Sequence, residues 1–373
     1  MKQLKIAFSV GEDSGDFLGA QLIKNLKREY PEAKFIGLGG YYMKKEGLDS
    51  LFHIDDLSVM GLIDPLLNIS KLLKRRKQLL NFVLQEKPDL FIGIDSPSFN
   101  SGIAKKIKSK SDIKTIQYVC PQFWAWRKGR VKRFKNYLDH IFSIFPFEEN
   151  LLKEEGVSSN FTGHPLAENF GIDIDKKLFK QKLGFSEDKK YIALLPGSRK
   201  SEIKNHLKIL EDLTKIYSSS NPNYQFVLSL TKDNSISEEK YLQEKNITLI
   251  KGNTREVLKA CDYGVVSSGT ATLEAMLSKT PFCVIYKSNA LSNFVISSIL
   301  LKLEYISLPN ILANKKIIPE LRQNNVTSKK IKNELDNLIE ESNESMLEDF
   351  KKLHYSLFNK DENKFSKIIE NLI

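Results

Sequence analysis

The order of apolar runs along the chain constrains its fold most strongly. Short runs rich in β-branched and aromatic residues alternate with longer stretches whose apolar residues recur at helical spacing. The two series of runs span residues 4–10, 34–38, 89–94, 113–119 and 140–145, and then 190–195, 224–230, 247–250, 262–266 and 281–286. Strands that are apolar on both faces predict parallel sheets covered by helices on both sides. The sequence therefore predicts an α/β protein with two doubly wound, Rossmann-like domains.

The predicted domain boundary lies near residues 162–185, where Gly163-His164-Pro165 ends a strand and a polar stretch precedes the second series. We expect residues 1–165 to form the first domain and residues 166–340 to form the second. Residues 341–373 are predicted to form C-terminal helices that pack across the domains. A chain of 373 residues is long enough for each domain to have its own core.

Charge and cysteine usage narrow the classes of protein to which the chain can belong. It has 57 Lys and Arg against 46 Asp and Glu, and its net charge of +11 suits an anionic partner such as a phosphorylated substrate, an anionic membrane or nucleic acid. The three cysteines are far apart, which predicts neither a disulfide framework nor a zinc site and fits a reduced, cytosolic compartment. The longest uncharged run of the second half, residues 288–301, falls short of the roughly 20 apolar residues that span a bilayer. We therefore expect a protein that is soluble or lies on a surface.

Predicted strand 262–266 leads into a polar turn and a helix, and this segment reads Ser267-Ser268-Gly269-Thr270-Ala271-Thr272-Leu273-Glu274. A glycine lets the backbone approach an anion closely, while the N–H groups and the dipole of the helix start attract negative charge. Glu274 lies one turn into the helix, where a carboxylate can accept from ribose hydroxyls. An ordinary Ser/Thr cap with an acid in the first turn explains the same residues equally well.

Predicted strand 190–195 ends in a second turn of small residues, Pro196-Gly197-Ser198-Arg199. The guanidinium of Arg199 suits bidentate contact with phosphate oxygens, although a surface arginine is an equally good interpretation. Two turns of this kind on one sheet favour a diphosphate ligand. The predicted nucleotide site therefore combines Arg199 with Ser268, Gly269, Thr270, Thr272 and Glu274.

Acidic residues follow the strands of the first domain instead. Strand 4–10 leads into Gly11-Glu12-Asp13-Ser14, and strand 89–94 leads into Asp95-Ser96-Pro97. Carboxylates repel phosphate and suit sugar hydroxyls or a general base, and Asp95 is the candidate base. The alternatives are an acidic first helical turn and an Asp that caps the turn before Pro97.

Two further segments combine apolar or aromatic residues with basic ones. Both tryptophans lie in residues 121–127, and a basic run from Arg127 to Lys135 follows them. Residues 59–83 carry an apolar face beside a cluster of Lys and Arg. The aromatic segment can bind nucleic acid, a phosphorylated lipid or a membrane surface, and residues 59–83 suit a helix that lies at a membrane surface. The alternative for the aromatic segment is a solvated basic face with the tryptophans in the core. An ordinary amphipathic helix on the sheet explains the second half of 59–83 at least as well.

Neither a phosphate-binding Walker A loop nor metal-ligand spacing of histidines is present in the sequence. The single Asp-x-Asp, Asp173-Ile174-Asp175, follows no predicted strand, and we interpret it as the cap of the next helix. No metal site and no cofactor are predicted.

Taken together, the strand ends resemble those of lipid-A-disaccharide synthases, which are bacterial glycosyltransferases. The matching stretches, in the order of the family, are residues 11–20, 93–100, 118–130, 145–148, 163–166, 195–202, 268–275, 286–287, 308–310 and 318–321. The chain departs from the family pattern at Asp13, at Ser98 and at either Cys120 or Gln122, where the family usually has Ser. Ser98 replaces an Asp and so removes a carboxylate near Asp95.

This resemblance implies the two-Rossmann glycosyltransferase fold (GT-B), with a deep interdomain cleft, an acceptor-binding first domain and a nucleotide-sugar-binding second domain. It implies an inverting transfer of 2,3-diacylglucosamine from UDP-2,3-diacylglucosamine to the 6-hydroxyl of 2,3-diacylglucosamine 1-phosphate, giving lipid A disaccharide 1-phosphate and UDP in lipopolysaccharide biosynthesis. It further implies a cytoplasmic enzyme that is peripheral on the inner membrane, binds no nucleic acid and forms a homodimer in some members.

The resemblance also assigns roles to residues. Asp95 and Glu12 are the expected catalytic residues, and the expected nucleotide-binding residues gain Asn310. The residues expected to bind the acceptor are Ser14, Asn100, Trp124 and Arg127.

Two other functions remain open from the sequence. One is a different enzyme on the same fold, such as a UDP-N-acetylglucosamine epimerase or a peptidoglycan-type transferase. The other is a basic, aromatic-bearing protein that binds nucleic acid and has no catalytic activity, which predicts affinity that falls steeply with salt.

Overall fold

The computed structural model describes residues 3–54, 69–121, 128–218, 223–232, 234, 236, 246–288 and 303–373. The chain forms two compact units. The first unit contains Met1–Pro165 and Leu357–Ile373, and the second contains Leu166–Ser356.

The first unit is built on a seven-stranded parallel sheet with the strand order β3-β2-β1-β4-β5-β6-β7. Its strands are β1 (Lys5–Val10), β2 (Lys34–Leu38), β3 (Asp49–Ser50), β4 (Leu90–Ile94), β5 (Lys114–Tyr118), β6 (His140–Ser143) and β7 (Ser159–Phe161). The order changes direction between β1 and β4, where Ser9 lies opposite Gly93. This is the topological switch point of the sheet, the place at which ligands bind in open parallel sheets.

The second unit repeats this arrangement with a six-stranded parallel sheet in the order β10-β9-β8-β11-β12-β13. Its strands are β8 (Lys190–Leu195), β9 (Tyr224–Leu230), β10 (Ile247–Lys251), β11 (Tyr263–Ser267), β12 (Phe282–Tyr286) and β13 (Glu320–Arg322). The switch point lies between β8 and β11, where Val266 is paired with Leu195.

Helices connect the strands in both units. In the first unit they are α1 (Asp13–Glu29), α2 (Tyr41–Lys45), α3 (Ile69–Glu86), α4 (Pro97–Lys110) and α5 (Pro146–Glu154), with a 3-10 helix at Lys128–Asn136. From the unit boundary onward they are α6 (Pro165–Asn169), α7 (Lys176–Lys182), α8 (Lys200–Ser218), α9 (Thr254–Ala260), α10 (Thr270–Leu277), α11 (Leu308–Ala313), α12 (Ser328–Glu340), α13 (Glu344–Ser356) and α14 (Ser366–Leu372), with a 3-10 turn at Gln323–Asn325. No helix of the described residues is long and apolar enough to cross a membrane.

The central strands are buried along most of their length because helices cover both faces of each sheet. All of β4 is buried, and only the first residue of β1 and of β8 is not. Apolar residues on both faces of a strand are stable only under such double cover. The predicted α/β fold with two doubly wound, Rossmann-like domains is confirmed.

The sequence prediction missed three strands, all of which lie at sheet edges. These are β3, β7 and β13, with two or three residues each. A pattern of alternation needs at least four residues to be visible, so strands this short leave no periodic signal.

The C-terminal segment is divided between the two units. Helix α13 belongs to the second unit, and the chain from Leu357 onward belongs to the first. There the His164 N–H donates to the Leu357 carbonyl at 2.8 Å, and the ring of Phe365 packs edge-on against Tyr118 and Phe142. The last helix therefore completes the core of the first unit.

Candidate functional site

The loops after β1 and β4 meet at the switch point of the first unit. A Cβ on Gly11 would collide with the side chain of Ser96, and a Cβ on Gly15 would lie 3.7 Å from the Cβ of Asp95. The glycines therefore permit a close approach of the two loops. As a result, the predicted residues Glu12 and Ser14, both exposed, lie in the loop that contacts the Asp95 turn.

Asp95 stands in a strained turn. Asp95 and Ser96 have φ of 47° and 38°, a left-handed conformation that costs non-glycine residues about 1–3 kcal/mol each. Such strain persists only where surrounding contacts hold it, and here two buried amides do so. The Asp95 carbonyl accepts from Asn100 Nδ2 at 2.9 Å and from Gln117 Nε2 at 3.0 Å.

Asn100 also joins the two strands of the switch point. Its Oδ1 accepts from Ser9 Oγ at 2.6 Å, and its Nδ2 lies 3.2 Å from the Ile94 carbonyl. The side chain is 1% exposed, so its visible role is to hold the Asp95 turn in place. Contact between Asn100 and an acceptor stays a prediction. Gln117 was not singled out from the sequence, because a glutamine inside an apolar strand gives no signal of the turn that it holds.

The environment of Asp95 suits a general base. Burial raises the pKa of its carboxyl above the ordinary value, the negative charge of Glu12 raises it further, and the Ser96 backbone opposes both effects. A carboxylate with a raised pKa accepts a proton more readily from a hydroxyl.

The turn after β11 exposes its backbone. Gly269 has φ of 150°, which glycine adopts readily, and a Cβ at this position would meet no atom within 4 Å. The N-cap of α10 is Gly269, which has no side chain to cap the helix, and the Ser268 hydroxyl donates to the Ile306 carbonyl at 2.8 Å. The interpretation of this segment as a Ser/Thr cap is therefore wrong. Gly269 and Thr270 are exposed at an open helix start.

The turn after β8 lies beside it. A Cβ on Gly197 would lie 3.1 Å from Ser267 Oγ, so the two turns are in contact. Here Glu202 Oε2 accepts from the backbone N–H groups of Ser198 and Arg199 at 3.1 and 3.3 Å. The exposed Arg199 guanidinium forms an ion pair with the same carboxylate at 3.4 Å. The structure thus brings Arg199 to the edge of the sheet that carries the open helix start.

Thr272 and Glu274 have partners within the unit. Thr272 is buried; its hydroxyl donates to the Gly269 carbonyl at 2.7 Å and accepts from Leu308 N–H at 3.3 Å. Glu274 Oε1 accepts from Arg255 Nε at 2.9 Å. Among the described residues, Glu274 Oε2 has no hydrogen-bond partner.

Asn310 belongs to a buried network that supports the open turn. Its amide bonds the backbone of Ile317 and Ile318 and donates to Glu320 Oε1 at 2.9 Å. Glu320 also accepts from the N–H groups of Ile306 and Ser307 and from Arg322. Since Ser268 bonds the Ile306 carbonyl, this network fixes the chain against which the turn rests. Direct contact of Asn310 with a nucleotide stays a prediction.

Two predicted acceptor residues, Trp124 and Arg127, lie outside the described residues, as does most of the first half of segment 59–83. In its second half, Leu79, Leu80 and Val83 are buried in the core. That half of the segment is therefore an amphipathic helix on the sheet.

The Asp-x-Asp motif has a structural role. Asp175 Oδ1 accepts from Leu178 N–H at 3.2 Å and caps α7, as predicted from the sequence. Among the described residues, no group of three or more His, Cys, Asp or Glu is arranged to hold a metal ion.

Known proteins similar to the chain agree on one family. The family model described as lipid-A-disaccharide synthetase matches residues 6–371. Lipid-A-disaccharide synthase of Idiomarina loihiensis is 38% identical, with 99% of this chain and 98% of the relative covered. The enzyme of the same name from Pseudomonas putida is 39% identical, with 96% and 95% covered.

Solved structures with low sequence identity share the fold. The glycotransferase of kitacinnamycin superimposes with a TM-score of 0.66 at 13% identity over 100% of both chains. UDP-GlcNAc 2-epimerase from Neisseria meningitidis, bound to UDP-GlcNAc, gives a TM-score of 0.63 at 14% identity over 99% of both chains.

Proposed function

Because the chain belongs to the lipid-A-disaccharide synthetase family, a glycosyltransferase family of lipid A biosynthesis, we propose that it joins two diacylglucosamine units. The donor is UDP-2,3-diacylglucosamine and the acceptor is the 6-hydroxyl of 2,3-diacylglucosamine 1-phosphate. The products are lipid A disaccharide 1-phosphate and UDP. The observation that carries the proposal is the opposite chemistry at the two switch points: a carboxylate with a raised pKa at one and an anion-ready turn at the other.

The acceptor half of the reaction uses the first unit. The Asp95 carboxylate removes the proton of the acceptor hydroxyl, and the hydroxyl oxygen attacks the anomeric carbon of the donor sugar. Glu12 raises the proton affinity of Asp95 and, with Ser14, contacts the acceptor sugar. A single attack from the face opposite the leaving group inverts the anomeric configuration.

The donor half uses the second unit. The bond from the anomeric carbon to the diphosphate oxygen breaks, and the electron pair leaves with UDP. Arg199 and the N–H groups at the start of α10 stabilise this charge, which fixed donors can do without a metal ion. The free oxygen of Glu274 accepts from the ribose, while Arg255 holds the other oxygen.

The substrates carry fatty acyl chains, so we propose that the enzyme works on the cytoplasmic face of the inner membrane. Helix α3 supports this, since Leu73 is 46% exposed beside basic side chains. Basic residues beside exposed apolar ones favour anionic lipid surfaces. Sedimentation with vesicles of anionic lipid is expected to retain the protein, and equal retention by neutral vesicles would contradict the electrostatic part of the proposal.

The family resemblance also supports a homodimer, which light scattering tests by the molar mass in solution. A mass equal to that of one chain at micromolar concentration would exclude it.

The decisive test of the reaction is mass spectrometry of the products formed from the two purified substrates. The expected products are the acylated disaccharide 1-phosphate and UDP. Incubation with UDP-N-acetylglucosamine alone is the control, and formation of its 2-epimer would replace the transferase with an epimerase. Salt-sensitive binding of oligonucleotides without any response to UDP would instead indicate a nucleic-acid-binding protein.

A further inference from the structure

Strand β11, which leads to the Ser267–Thr270 turn, lies between two other strands of the second sheet. In the second sheet β11 is paired with β8 on one side and β12 on the other. Val266 lies opposite Leu195 in β8 and Val284 in β12. The residues that follow these strands therefore flank the turn after β11, with Pro196 on one side and Lys287 on the other.

A buried histidine bridges these two flanks. His206, on α8, is 1% exposed, and its Nδ1 lies 2.6 Å from the Pro196 carbonyl oxygen. Its Nε2 lies 3.0 Å from the backbone nitrogen of Lys287, whose N–H donates to it. A carbonyl can only accept, so the imidazole is neutral and carries its proton on Nδ1. Both ring nitrogens are thus committed to backbone groups on opposite sides of the turn.

The preceding residue completes the hold on Lys287. Asn205 Nδ2 donates to the Lys287 carbonyl at 3.2 Å, so consecutive side chains of α8 bond both backbone groups of this one residue. Helix α8 begins directly after the Pro196–Arg199 turn. The same helix therefore fixes the turn that carries Arg199 and the backbone of Lys287.

Lys287 is a cation with no carboxylate partner among the described residues, and it is partly buried. Burial lowers the pKa of His206, and the Lys287 charge lowers it further, whereas Pro196 and Glu202 raise it. Lys287 follows β12 directly, and α8 bonds both of its backbone groups, so its side chain begins at the edge of the sheet that carries the open helix start. A cation that has no carboxylate partner in the described part of the chain suits an anion at this edge of the sheet.

We propose that Asn205 and His206 are positioning residues that hold Lys287 beside the Ser267–Thr270 turn, where its ammonium is a second cation for the diphosphate of the donor. This inference rests on the proposed function, because it deepens the nucleotide site. Arg199 and Lys287 then bind the leaving group from the two sides of the open helix start. The substrate contact is made by Lys287, and the histidine acts through it.

The test is the affinity for UDP and for uridine, measured by calorimetry on the full chain. Lys287→Met is expected to weaken UDP binding about tenfold to a hundredfold, as for loss of a bond to a charged group, and to leave uridine binding unchanged. His206→Phe is expected to weaken UDP binding several-fold, because the backbone of Lys287 loses a bond that positions it. If the histidine acts through the lysine, the double variant binds UDP as weakly as Lys287→Met does alone.

Two conservative variants of His206 each keep one of its two bonds and are expected to fold. The amide of His206→Gln reaches the position of Nε2 and keeps the bond to Lys287, whereas His206→Asn keeps only the bond to Pro196. The expected UDP affinities therefore decrease from wild type through Gln to Asn. The reverse order would overturn the assignment to Lys287.

A matched control comes from the first unit. His140 is also buried, and its ring nitrogens lie 2.8 Å from Ser158 Oγ and 2.7 Å from Asn160 Oδ1. His140→Phe is expected to lower the free energy of unfolding as His206→Phe does, but to leave UDP affinity unchanged. Equal UDP affinity of wild type and folded His206→Phe would overturn the positioning role alone. Failure of wild type to bind UDP would instead overturn the proposed function and this inference with it.

Discussion

The two sheets share one strand order but present opposite chemistry at their switch points. In the first unit, strained backbone at Asp95 and Ser96 presents a carboxylate held by buried amides. In the second, Gly269 adopts its backbone conformation readily and leaves peptide N–H groups open. One turn presents a side chain and the other presents backbone. In a sheet of this kind topology therefore selects the place of a site, while the few residues after each strand select its chemistry.

The largest expected effect concerns the Asp95 carboxylate of the first unit. Asp95→Asn keeps the shape of the side chain but removes the base, so turnover is expected to fall by about 10²–10⁴-fold. Affinity for UDP is expected to be unchanged, because the proposed nucleotide site lies in the second unit. Steady-state kinetics and calorimetry on the same preparation measure both. Near-normal turnover would remove Asp95 from this role.

The next largest effect concerns the turn at Gly269 in the second unit. Gly269→Val places a β-branched residue at φ of 150° and fills the open space, so UDP affinity is expected to fall about tenfold or more. Gly184→Val is the matched control, since Gly184 also has positive φ, 68°, and no neighbour within 4 Å of a Cβ. Both variants are expected to lose stability, but only the first loses UDP affinity. Equal UDP affinities would show that the open turn binds no nucleotide.

A smaller effect sharpens the role of the cation. Arg199→Ala is expected to weaken UDP binding about tenfold through loss of a charge-assisted contact. Lys200→Ala removes the same charge from the next exposed position and serves as the control. An indistinguishable effect of the two variants would mean that only net charge matters at this turn.

The last expected effect concerns the stability of the first unit rather than turnover or UDP binding. Burial lowers the pKa of His164 to about 3, so between this value and the ordinary 6.5 the unfolded chain binds the extra proton. The contribution of His164 to the free energy of unfolding is therefore fully present above about pH 6.5. It is lost as the pH falls, at about 1.4 kcal/mol per pH unit. Chemical denaturation at pH 7 and pH 5 measures the loss. His164→Gln is expected to show a smaller loss, and an unchanged pH dependence would contradict the assignment.

The sequence predicted the architecture because long apolar strands and the turns after them leave local signals. The turns at Glu12, Asp95, Arg199 and Ser268 were found for this reason. The supports of these turns were not found as such. Gln117 and the Asn310 network act through bonds to backbone groups remote in sequence, which no local pattern records. The interpretation of Ser268 as part of a Ser/Thr cap was wrong, since its hydroxyl bonds a carbonyl 38 residues away.

The carboxylate of Glu202 is an anion that the protein itself binds at the Pro196–Arg199 turn. It accepts from the peptide N–H groups of Ser198 and Arg199 and forms an ion pair with the exposed guanidinium, so both N–H groups have an acceptor before any ligand arrives. An anion that binds these N–H groups must therefore displace the Glu202 carboxylate from them. This displacement disfavours ligands of low charge, because one diffuse charge binds the N–H groups little better than the carboxylate that it displaces.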